Sequence, residues 1–478
     1  MTTTTRSSTE KRAAYPRPRI VGARTEVPLY DGTQIRYVNL DSAASTPPLV
    51  KVRQAVEAFL PWYSSVHRGA GYKSRLSTHL YEHARDIVMR FVGANPSTHI
   101  VVFGRNTTEA LNLLAYRLVL EPGQLVLTTR MEHHSNLLPW YRHPHELVEL
   151  TPDGRIDLED LERRLKKHHG NVRLVTISAA SNVSGILNDI RRAARIAHSY
   201  NALIAVDAAQ LAPHRSISMG AVMEDPERID ILAFSGHKLY APYGSGVLVV
   251  PATLFAGGQP MLVGGGSVCL LTRSGISWAT GPDLEEAGSP NVIGVVAIAS
   301  ALEELMRYGM DRVAGHEREL TRYAIQRLQD IPGITLYGPS WESVLSGAED
   351  RLGVFSFSID GHSYSEVASV LANEWGVGVR SGCFCSHLYV AYLLGFSEAA
   401  ADEVHKSMLA GLSVDLPGMV RASLGLANTK DDIDRLASGL LAIARGDIRA
   451  TYHNAASGDL EPVGTQHEFI DHGEGFLS

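Results

Sequence analysis

The alternation of short apolar runs with helix-like stretches constrains the fold of this chain more than any other feature. Three amphipathic stretches, TTEALNLLAYRL, DLEDLERRLKKH and IRRAARIAHSY, separate runs that are typical of buried strands. These runs are HIVVFG, QLVLTT, RLVTISA, ALIAVDA, DILAFSG and GVLVV. Strand, helix and strand in repetition predict an α/β fold with a mainly parallel sheet, in which ligands bind beyond the carboxyl ends of the strands.

The pattern changes near residue 292, and the change predicts a second domain. A chain of 478 residues is long enough for two cores. We expect a large domain over residues 37–292 and a smaller α+β domain formed by residues 21–36 and 293–447. The polar residues 1–20 are expected to form a disordered tail, and residues 448–478 a polar tail.

Composition and charge argue against several classes of protein. The net charge of −7 does not suit a basic nucleic-acid-binding surface. No apolar run approaches the roughly 20 residues that span a bilayer, and the first residues lack the apolar core of a secretory signal. Three cysteines do not make a disulfide framework, so we expect a cytoplasmic protein with neither a membrane nor a nucleic-acid partner.

Two polar residues at strand ends suggest carbonyl chemistry. Lys238 follows the run DILAFSG, and burial at a strand end lowers the pKa of a lysine and frees its amine as a nucleophile. Asp207 ends the run ALIAVDA, where a buried carboxylate needs a cationic partner such as a protonated pyridine nitrogen. Gln210 could donate a hydrogen bond to the ring oxygen of the same cofactor. The alternatives are a solvated lysine and an aspartate that caps a turn.

Three further strand ends carry polar residues suited to a cofactor. Thr107 and Thr108 open a helix, whose free N–H groups suit a phosphate, although threonines also cap helices. His133 follows another strand and could stack on an aromatic ring or move protons as a catalytic residue, or it could be structural. Asn182 could bond a cofactor or a substrate, or it could occupy a turn. No set of ligands at metal spacing is present, so no metal site is predicted.

The stretch VRSGCFCSH, residues 379–387, contains Cys383 and Cys385 just after Arg380. Two cysteines one residue apart could bind a metal, form a redox pair, fill a core or include a nucleophile. Thiolate is the reactive form of cysteine, so a nucleophile at this place needs a cation or a helix end nearby. Arg380 and His387 are the candidates closest in sequence.

These motifs together resemble those of the pyridoxal 5′-phosphate (PLP)-dependent cysteine desulfurases of the class V aminotransferase superfamily. The resemblance is greatest to the SufS-like group, which also contains selenocysteine lyases. The matching stretches run in family order from about residue 37 to about residue 445. They are YVNLDSAASTPP, HRG, GRNTTEALN, MEHHSNLLPW, SNVSG, VDAAQ, SGHKLYAPYGSGVL, GGGS, EAGSPN, VRSGCFC and VRASLGLANTKDDIDRL.

The resemblance implies a fold-type I homodimer with PLP sites at the subunit interface. It implies that Lys238 carries PLP, that Asp207 pairs with the pyridine nitrogen, that Gln210 contacts the phenolic oxygen and that His133 stacks on the ring. The implied phosphate ligands are Thr107, Thr108, Ser235 and His237, with Gly265 or Gly266 and Ser289 of the partner subunit. Asn182 and His67 are implied to position the substrate, and Arg380 to bind its carboxylate.

Two departures from the group's pattern concern the cysteine region. SufS-like members usually have Arg-x-Gly-His-His-Cys, whereas this chain has Cys383 and Phe384 in place of the two histidines. The spacing from Arg380 is kept, so Cys385 takes the place of the nucleophile. The sequence GCFC, residues 382–385, is closer to the corresponding motif of molybdenum cofactor sulfurases. The segment 386–419 is also longer than its counterpart in the group.

The expected function is therefore that of a cysteine desulfurase in sulfur metabolism. L-cysteine would become L-alanine, with the sulfur held on Cys385 as a persulfide and passed to an acceptor protein for iron–sulfur cluster assembly or another thio-cofactor. One alternative is a selenocysteine lyase or C–S lyase of the same fold. Others are a PLP-dependent epimerase or aminotransferase, and a non-enzymatic redox or metal-binding protein that uses the two cysteines.

Overall fold

The structure is a computed structural model. It describes residues 15–454 and 460–463, except residues 221, 223, 413 and 415. The first strands are β1 (Glu26–Pro28), β2 (Gln34–Arg36), β3 (Val38–Asn39), β4 (His99–Gly104), β5 (Leu125–Thr129), β6 (His145–Val148), β7 (Val172–Ser178), β8 (Leu203–Asp207), β9 (Ile231–Ser235) and β10 (Gly246–Pro251). The later ones are β11 (Val268–Thr272), β12 (Gly275–Trp278), β13 (Ile334–Tyr337), β14 (Val354–Ile359), β15 (Val377–Gly378), β16 (Arg380–Gly382), β17 (Met419–Ser423), β18 (Tyr452–Asn454) and β19 (Leu460–Pro462).

The helices surround these strands. The first are α1 (Val50–Phe59), α2 (Tyr72–Val92), α3 (Thr107–Arg117), α4 (His134–Leu137), α5 (Leu158–Lys167), α6 (Ile190–Ser199) and α7 (Pro282–Glu285). The later ones are α8 (Val292–Tyr308), α9 (Met310–Leu328), α10 (Trp341–Ser346), α11 (Tyr364–Trp375), α12 (His387–Leu393), α13 (Glu398–Leu409) and α14 (Lys430–Ala444). Within the described residues, no helix is long and apolar enough to cross a membrane.

A large mixed sheet forms the centre of the molecule. Seven of the described strands lie in the order β4-β10-β9-β8-β7-β5-β6. Neighbours from β9 to β6 are parallel, and β10 is antiparallel to both β4 and β9. All six predicted runs are strands of this sheet. The seventh strand, β6, was not predicted, because it is a half-buried edge strand whose four residues, HELV, give too short an apolar signal.

Helices cover both faces of this sheet. In β4, Val101 and Phe103 pack in one hydrophobic cluster and Val102, between them, packs in another. Successive side chains of a strand point to opposite faces, so a strand buried on both faces is a continuous apolar run. Helix α3 covers the face of Val102. This arrangement brings the carboxyl ends of the parallel strands to one edge of the sheet, where Asp207, Ser235 and several other predicted site residues lie.

A second, antiparallel sheet has its own core. Its described strands lie in the order β13-β14-β17-β16, and residues of α9, α11 and α14 pack in the same cluster. Helix α8 packs in the first cluster, whereas Val38 and Leu40 pack in the second. The boundaries at residues 36 and 292 stay a prediction, since a hydrophobic cluster can cross the boundary between two packed domains.

The described parts of both predicted tails contact the rest of the chain. Tyr15 Oη donates to Glu304 Oε2 at 2.8 Å. Strands β18 and β19 pair with each other, and the backbone N–H of Ala450 donates to Glu374 Oε1 at 3.0 Å. These contacts join distant residues, so local periodicity does not reveal them. Residues 1–14, 455–459 and 464–478 of the predicted tails lie outside the described residues.

Candidate active site

The carboxyl ends of the parallel strands open into a cleft of about 540 Å³. The segment 380–387, which we call the cysteine loop, forms part of its lining. Eleven residues proposed from the sequence line this one cleft: Thr107, Thr108, His133, Asn182, Asp207, Gln210, Ser235, His237, Lys238, Arg380 and Cys385. Residues more than 270 positions apart in sequence are therefore within reach of one small ligand.

Lys238 lies at the end of a short 3-10 turn, Gly236–Lys238, directly after the fully buried strand β9. Burial lowers the pKa of its amine to about 8, and the opposing attraction of Asp207 only partly offsets this effect. At pH 7, roughly one-tenth of the amine is thus uncharged, far more than for a lysine with an ordinary pKa. An uncharged amine can act as a nucleophile or as a base.

Asp207 ends β8 and is buried at the floor of the cleft. Burial raises the pKa of its carboxyl, while the N–H of Ala209, which donates to Oδ1 at 2.9 Å, and the charge of Lys238 act in the opposite direction. A bound cation beside this carboxylate would offset the cost of burying its charge. Nearby, Gln210 donates from Nε2 to the carbonyl oxygen of Ala43 at 2.7 Å, which uses one of the two N–H donors of the amide.

The start of helix α3 forms a polar corner of the cleft. Asn106, rather than a threonine, caps the helix by accepting from the N–H of Glu109. The backbone N–H of Thr107 donates to Ser235 Oγ at 2.7 Å, and the two hydroxyl groups lie 2.6 Å apart. Thr108 Oγ1 lies 2.6 Å from Ser135 Oγ. Hydroxyls gathered at a helix N-terminus suit a phosphate group.

The side chain of His133 lines the cleft as a neutral ring. Burial lowers its pKa to about 3, with a further contribution from the charge of Lys238. Its Nδ1 accepts from the N–H of Ser135 at 3.1 Å, so the proton of the neutral ring lies on Nε2. A neutral, half-buried imidazole suits stacking on an aromatic cofactor. His237 also lines the cleft, and burial lowers its pKa to about 4.

The cysteine loop has an unusual backbone. Both Phe384 and Cys385 have positive φ, 54° and 56°, which is costly for residues with side chains. Asn182 Nδ2 donates to the carbonyl oxygen of Phe384 at 2.9 Å, and Asn182 Oδ1 accepts from Ser386 Oγ at 3.0 Å. The backbone N–H of His134 donates to the carbonyl oxygen of Cys385 at 2.8 Å. Asn182, expected to position substrate, therefore also fixes the loop that presents the exposed Cys385.

Two arginines that line the cleft pair with one aspartate. Arg380 Nη2 lies 2.9 Å from Asp41 Oδ2, and Arg421 Nη2 lies 3.1 Å from Asp41 Oδ1. The Arg380 side chain is 51% exposed and that of Arg421 only 3%. Arg421 also donates to the carbonyl oxygen of Asn182 at 3.1 Å and lies over the Phe384 ring. Arg421 and Asp41 are not among the residues predicted from the sequence, although an arginine inside the apolar strand MVRAS is a signal that could have indicated Arg421.

Four of the proposed residues lie elsewhere. His67, Gly265, Gly266 and Ser289 line a separate cleft of about 440 Å³. His67 has a positive φ of 70°, and its Nε2 lies 3.0 Å from Glu82 Oε1. One chain therefore does not bring these residues to Lys238. Among the described residues, no group of three or more His, Cys, Asp or Glu side chains is arranged to hold a metal ion.

Comparisons with known proteins agree with this geometry. The model of the family "Aminotransferase class-V" matches residues 38–436. A probable cysteine desulfurase of Halalkalibacterium halodurans is 34% identical over 413 residues, which cover 84% of this chain and 92% of the relative. A cysteine desulfurase of Escherichia coli K12 is 34% identical over 417 residues, 85% of this chain and 93% of the relative.

Solved structures give the same result. The apo structure of a cysteine desulfurase from Thermococcus onnurineus NA1 superimposes with a TM-score of 0.75 at 29% identity, covering 91% of this chain and 100% of the other. The cysteine desulfurase CsdA of Escherichia coli, in an S-sulfonic acid form, gives 0.71 at 29% identity, covering 86% and 96%. The resemblance and the α/β fold class predicted from the sequence are confirmed, and the chain belongs to the class-V aminotransferase family.

Proposed function

We propose that this protein is a PLP-dependent cysteine desulfurase, which converts L-cysteine to L-alanine and takes the sulfur onto Cys385 as a persulfide. The observation that carries the proposal is the single cleft that holds Lys238 and Asp207 together with an exposed cysteine and an arginine pair. The cysteine desulfurases of H. halodurans and E. coli, whose similarity covers most of the chain, support the same activity.

The side chains of the cleft fit PLP. Lys238 would hold the cofactor covalently, Asp207 would pair with its ring nitrogen, and the neutral His133 would stack on the ring. Thr107, Thr108, Ser235 and His237 would bind the phosphate at the start of α3. When bound, PLP supplies an electron sink that stabilises negative charge developing at the substrate α-carbon.

The remaining residues bind the substrate and move its proton. Arg380 and Arg421 would bind the carboxylate, because a guanidinium can donate two parallel hydrogen bonds to a carboxylate. Lys238, with an amine pKa of about 8, can take the proton from the α-carbon near neutral pH and return a proton to the product carbon. Both steps require the substrate to lie between the amine and the arginine pair.

Cys385 would carry out the sulfur transfer. Its thiolate attacks the substrate sulfur, the bond between that sulfur and the β-carbon breaks, and the electron pair stays with the carbon. The carbon then gains a proton, which gives alanine, while the sulfur stays on Cys385 as a persulfide. The reaction needs a free thiol, which a reducing cytoplasm would maintain. Cys385 is exposed in the lining of the cleft, and this exposure suits delivery of the sulfur to an acceptor protein.

The separate cleft suggests that two chains complete each site. The glycines and Ser289 of the second cleft would contact the phosphate held by the other chain of a homodimer, and His67 would reach its substrate. We therefore propose that the protein is a homodimer and that it supplies sulfur for iron–sulfur clusters or another thio-cofactor.

The test is to incubate the PLP-loaded protein with L-cysteine, quantify alanine and pyruvate, and map persulfide by mass spectrometry. We expect alanine and a persulfide on Cys385. Cys385→Ser should lose the persulfide and most alanine formation, whereas Cys269→Ser, which changes an exposed thiol outside the cleft, should behave as wild type. Pyruvate as the main product would indicate a C–S lyase. Full turnover by Cys385→Ser, or turnover restricted to L-selenocysteine, would also contradict the proposal.

A further inference from the structure

The second thiol of the cysteine loop contacts a histidine. Cys383 Sγ lies 2.8 Å from His387 Nε2, and His387 Nδ1 lies 2.9 Å from His134 Nε2. The two imidazole rings stack, with centroids 4.8 Å apart and an interplanar angle of 13°. Cys383 and Cys385 line the same cleft with one residue between them. The mechanism described above uses Cys385 and leaves the contact between Cys383 and His387 without a role.

One tautomer of His387 allows proton transfer from Cys383 toward the histidines. If the thiol donates to Nε2 of a neutral His387, the proton of that ring lies on Nδ1 and is donated to His134 Nε2. Burial raises the pKa of the Cys383 thiol, so little thiolate is present near neutral pH. A base in contact with the thiol can remove the proton during a reaction, and His387 is the group in that position. If the Cys383 thiol served only to fill a gap in the packing, contact with His387 Nε2 would not be needed.

We propose that Cys383 is a second sulfur-accepting thiol, which takes the terminal sulfur from the Cys385 persulfide with His387 as general base. This inference rests on the proposed function, because Cys385 must first carry the persulfide. His387 takes the thiol proton, and Cys383 Sγ attacks the terminal sulfur of the protonated persulfide. The S–S bond to Cys385 breaks, and its electron pair leaves on Cys385 Sγ, which regains a proton. No external oxidant or reductant is needed, because one thiol and one persulfide exchange roles.

The positions of the two cysteines suit this order of events. Cys385 is exposed in the lining of the cleft, where substrate would enter, whereas Cys383 is half-buried and packs against the main core. Transfer therefore moves the sulfur to a more sheltered thiol and returns Cys385 to its reactive form for another substrate. Attack at the inner sulfur would instead give a Cys383–Cys385 disulfide and release sulfide, which is a different reaction with a different product.

The experiment follows the sulfur within one turnover. The PLP-loaded enzyme is mixed with less than one equivalent of L-cysteine, quenched with acid at increasing times, alkylated and fragmented in the mass spectrometer. In the wild type, we expect the sulfur on Cys385 first and on Cys383 later. In Cys383→Ser it should stay on Cys385. In His387→Gln, which keeps a polar side chain but has no base, transfer to Cys383 should slow by about 100-fold.

Controls separate the base from a structural role. Added imidazole should partly restore the transfer rate of His387→Ala, since a small base can enter an exposed site, and His405→Gln on the exposed α13 should transfer at the wild-type rate. Sulfur that appears on Cys385 but never on Cys383 would overturn the inference and leave the proposed function intact. Transfer at the wild-type rate in His387→Gln, or an internal disulfide with release of sulfide, would also overturn it. Sulfur on neither cysteine would overturn the proposed function, and the inference with it.

Discussion

Two sides of the cleft are built in different ways. The strand-end wall, which we define as Thr107, Asp207, Ser235 and Lys238, consists of residues at the ends of β8 and β9 and at the start of α3. The cysteine loop, residues 380–387, has positive φ angles and an exposed thiol, and it is held by the side chain of Asn182, about 200 residues away in sequence, and by the backbone N–H of His134. Backbone pairing in the large sheet fixes the first wall, whereas in the second only residues 380–382 pair as strand β16 and long-range contacts hold the residues that follow.

The difference matches the two tasks of the site. A cofactor that stays bound needs side chains whose positions do not change, and the ends of packed parallel strands provide such positions. A thiol that receives sulfur and passes it on must reach the substrate and then an acceptor. Each residue in the left-handed region costs about 1–2 kcal/mol, and hydrogen bonds of about 1 kcal/mol each from Asn182 and His134 help to hold the loop in that conformation.

The largest effect is expected from Lys238→Ala in the strand-end wall. Loss of both the cofactor-binding amine and the base should lower alanine formation by at least about 1,000-fold, while the fold, set by the sheet, should persist. Alanine assays and circular dichroism measure the two quantities. Lys238→Arg is the matched control, since it keeps a cation but is neither nucleophile nor base. Activity in either variant above one per cent of wild type would mean that another residue performs this role.

Asp207→Asn should lower alanine formation by roughly 100-fold, because an amide does not stabilise a protonated ring nitrogen as a carboxylate does. It should not destabilise the cofactor-free protein. Burial raises the pKa of Asp207, so the folded state loses stability as pH rises from the ordinary carboxyl pKa of 3.8 through the raised value. At neutral pH the protein therefore carries the full free-energy cost of the buried carboxylate. Thermal unfolding at pH 7 should give an equal or higher Tm. A lower Tm together with full activity would show that the carboxylate is structural.

Arg380 and Arg421 lie on the same side of the cleft as the cysteine loop, and we expect their substitution to affect the kinetics to different extents. Arg421→Lys removes a buried guanidinium that contacts Asp41, Asn182 and the Phe384 ring, and should lower kcat/KM for L-cysteine by about 30-fold. Arg380→Lys changes a half-exposed side chain and should mainly raise KM. Steady-state kinetics of both variants test this order. A larger loss of kcat in Arg380→Lys than in Arg421→Lys would reverse it.

A smaller effect is expected from pH on cofactor capture by the strand-end wall. Only the uncharged amine of Lys238 reacts with a carbonyl, and a pKa of about 8 means that roughly one-tenth is uncharged at pH 7 and nine-tenths at pH 9. The rate at which the cofactor-free protein captures PLP should therefore rise about tenfold over this interval and then level off. Stopped-flow absorbance measures the rate. A steady rise continuing beyond pH 10 would indicate a lysine with an ordinary pKa.

The sequence predicted the first wall better than the second for a physical reason. Burial at the end of an apolar run is a local property, so Asp207 and Lys238 could be identified from their own neighbours. The ion pairs of Asp41 with Arg380 and Arg421 join residues more than 330 positions apart. Residue spacing carries no sign of such contacts. The same limit applies to Cys383, whose neighbour His387 is local but whose connection to His134 is not.

Asn182→Ala has the smallest expected effect on alanine formation, but it tests most directly whether the two sides of the cleft are independent. The substitution removes both amide contacts to the cysteine loop and leaves the strand-end wall unchanged. Without their hydrogen bonds to Asn182, the carbonyl of Phe384 and the hydroxyl of Ser386 together should destabilise the present conformation of the cysteine loop by about 1–3 kcal/mol. Hydrogen exchange of residues 382–387 should therefore become faster, while exchange in β8 and β9 stays the same. Alanine formation should fall only by about tenfold or less, because the loop still reaches the cleft in part of the population. Equal acceleration of exchange in both regions would mean that loop and sheet open as one unit, and the two sides of the cleft would then not be independent.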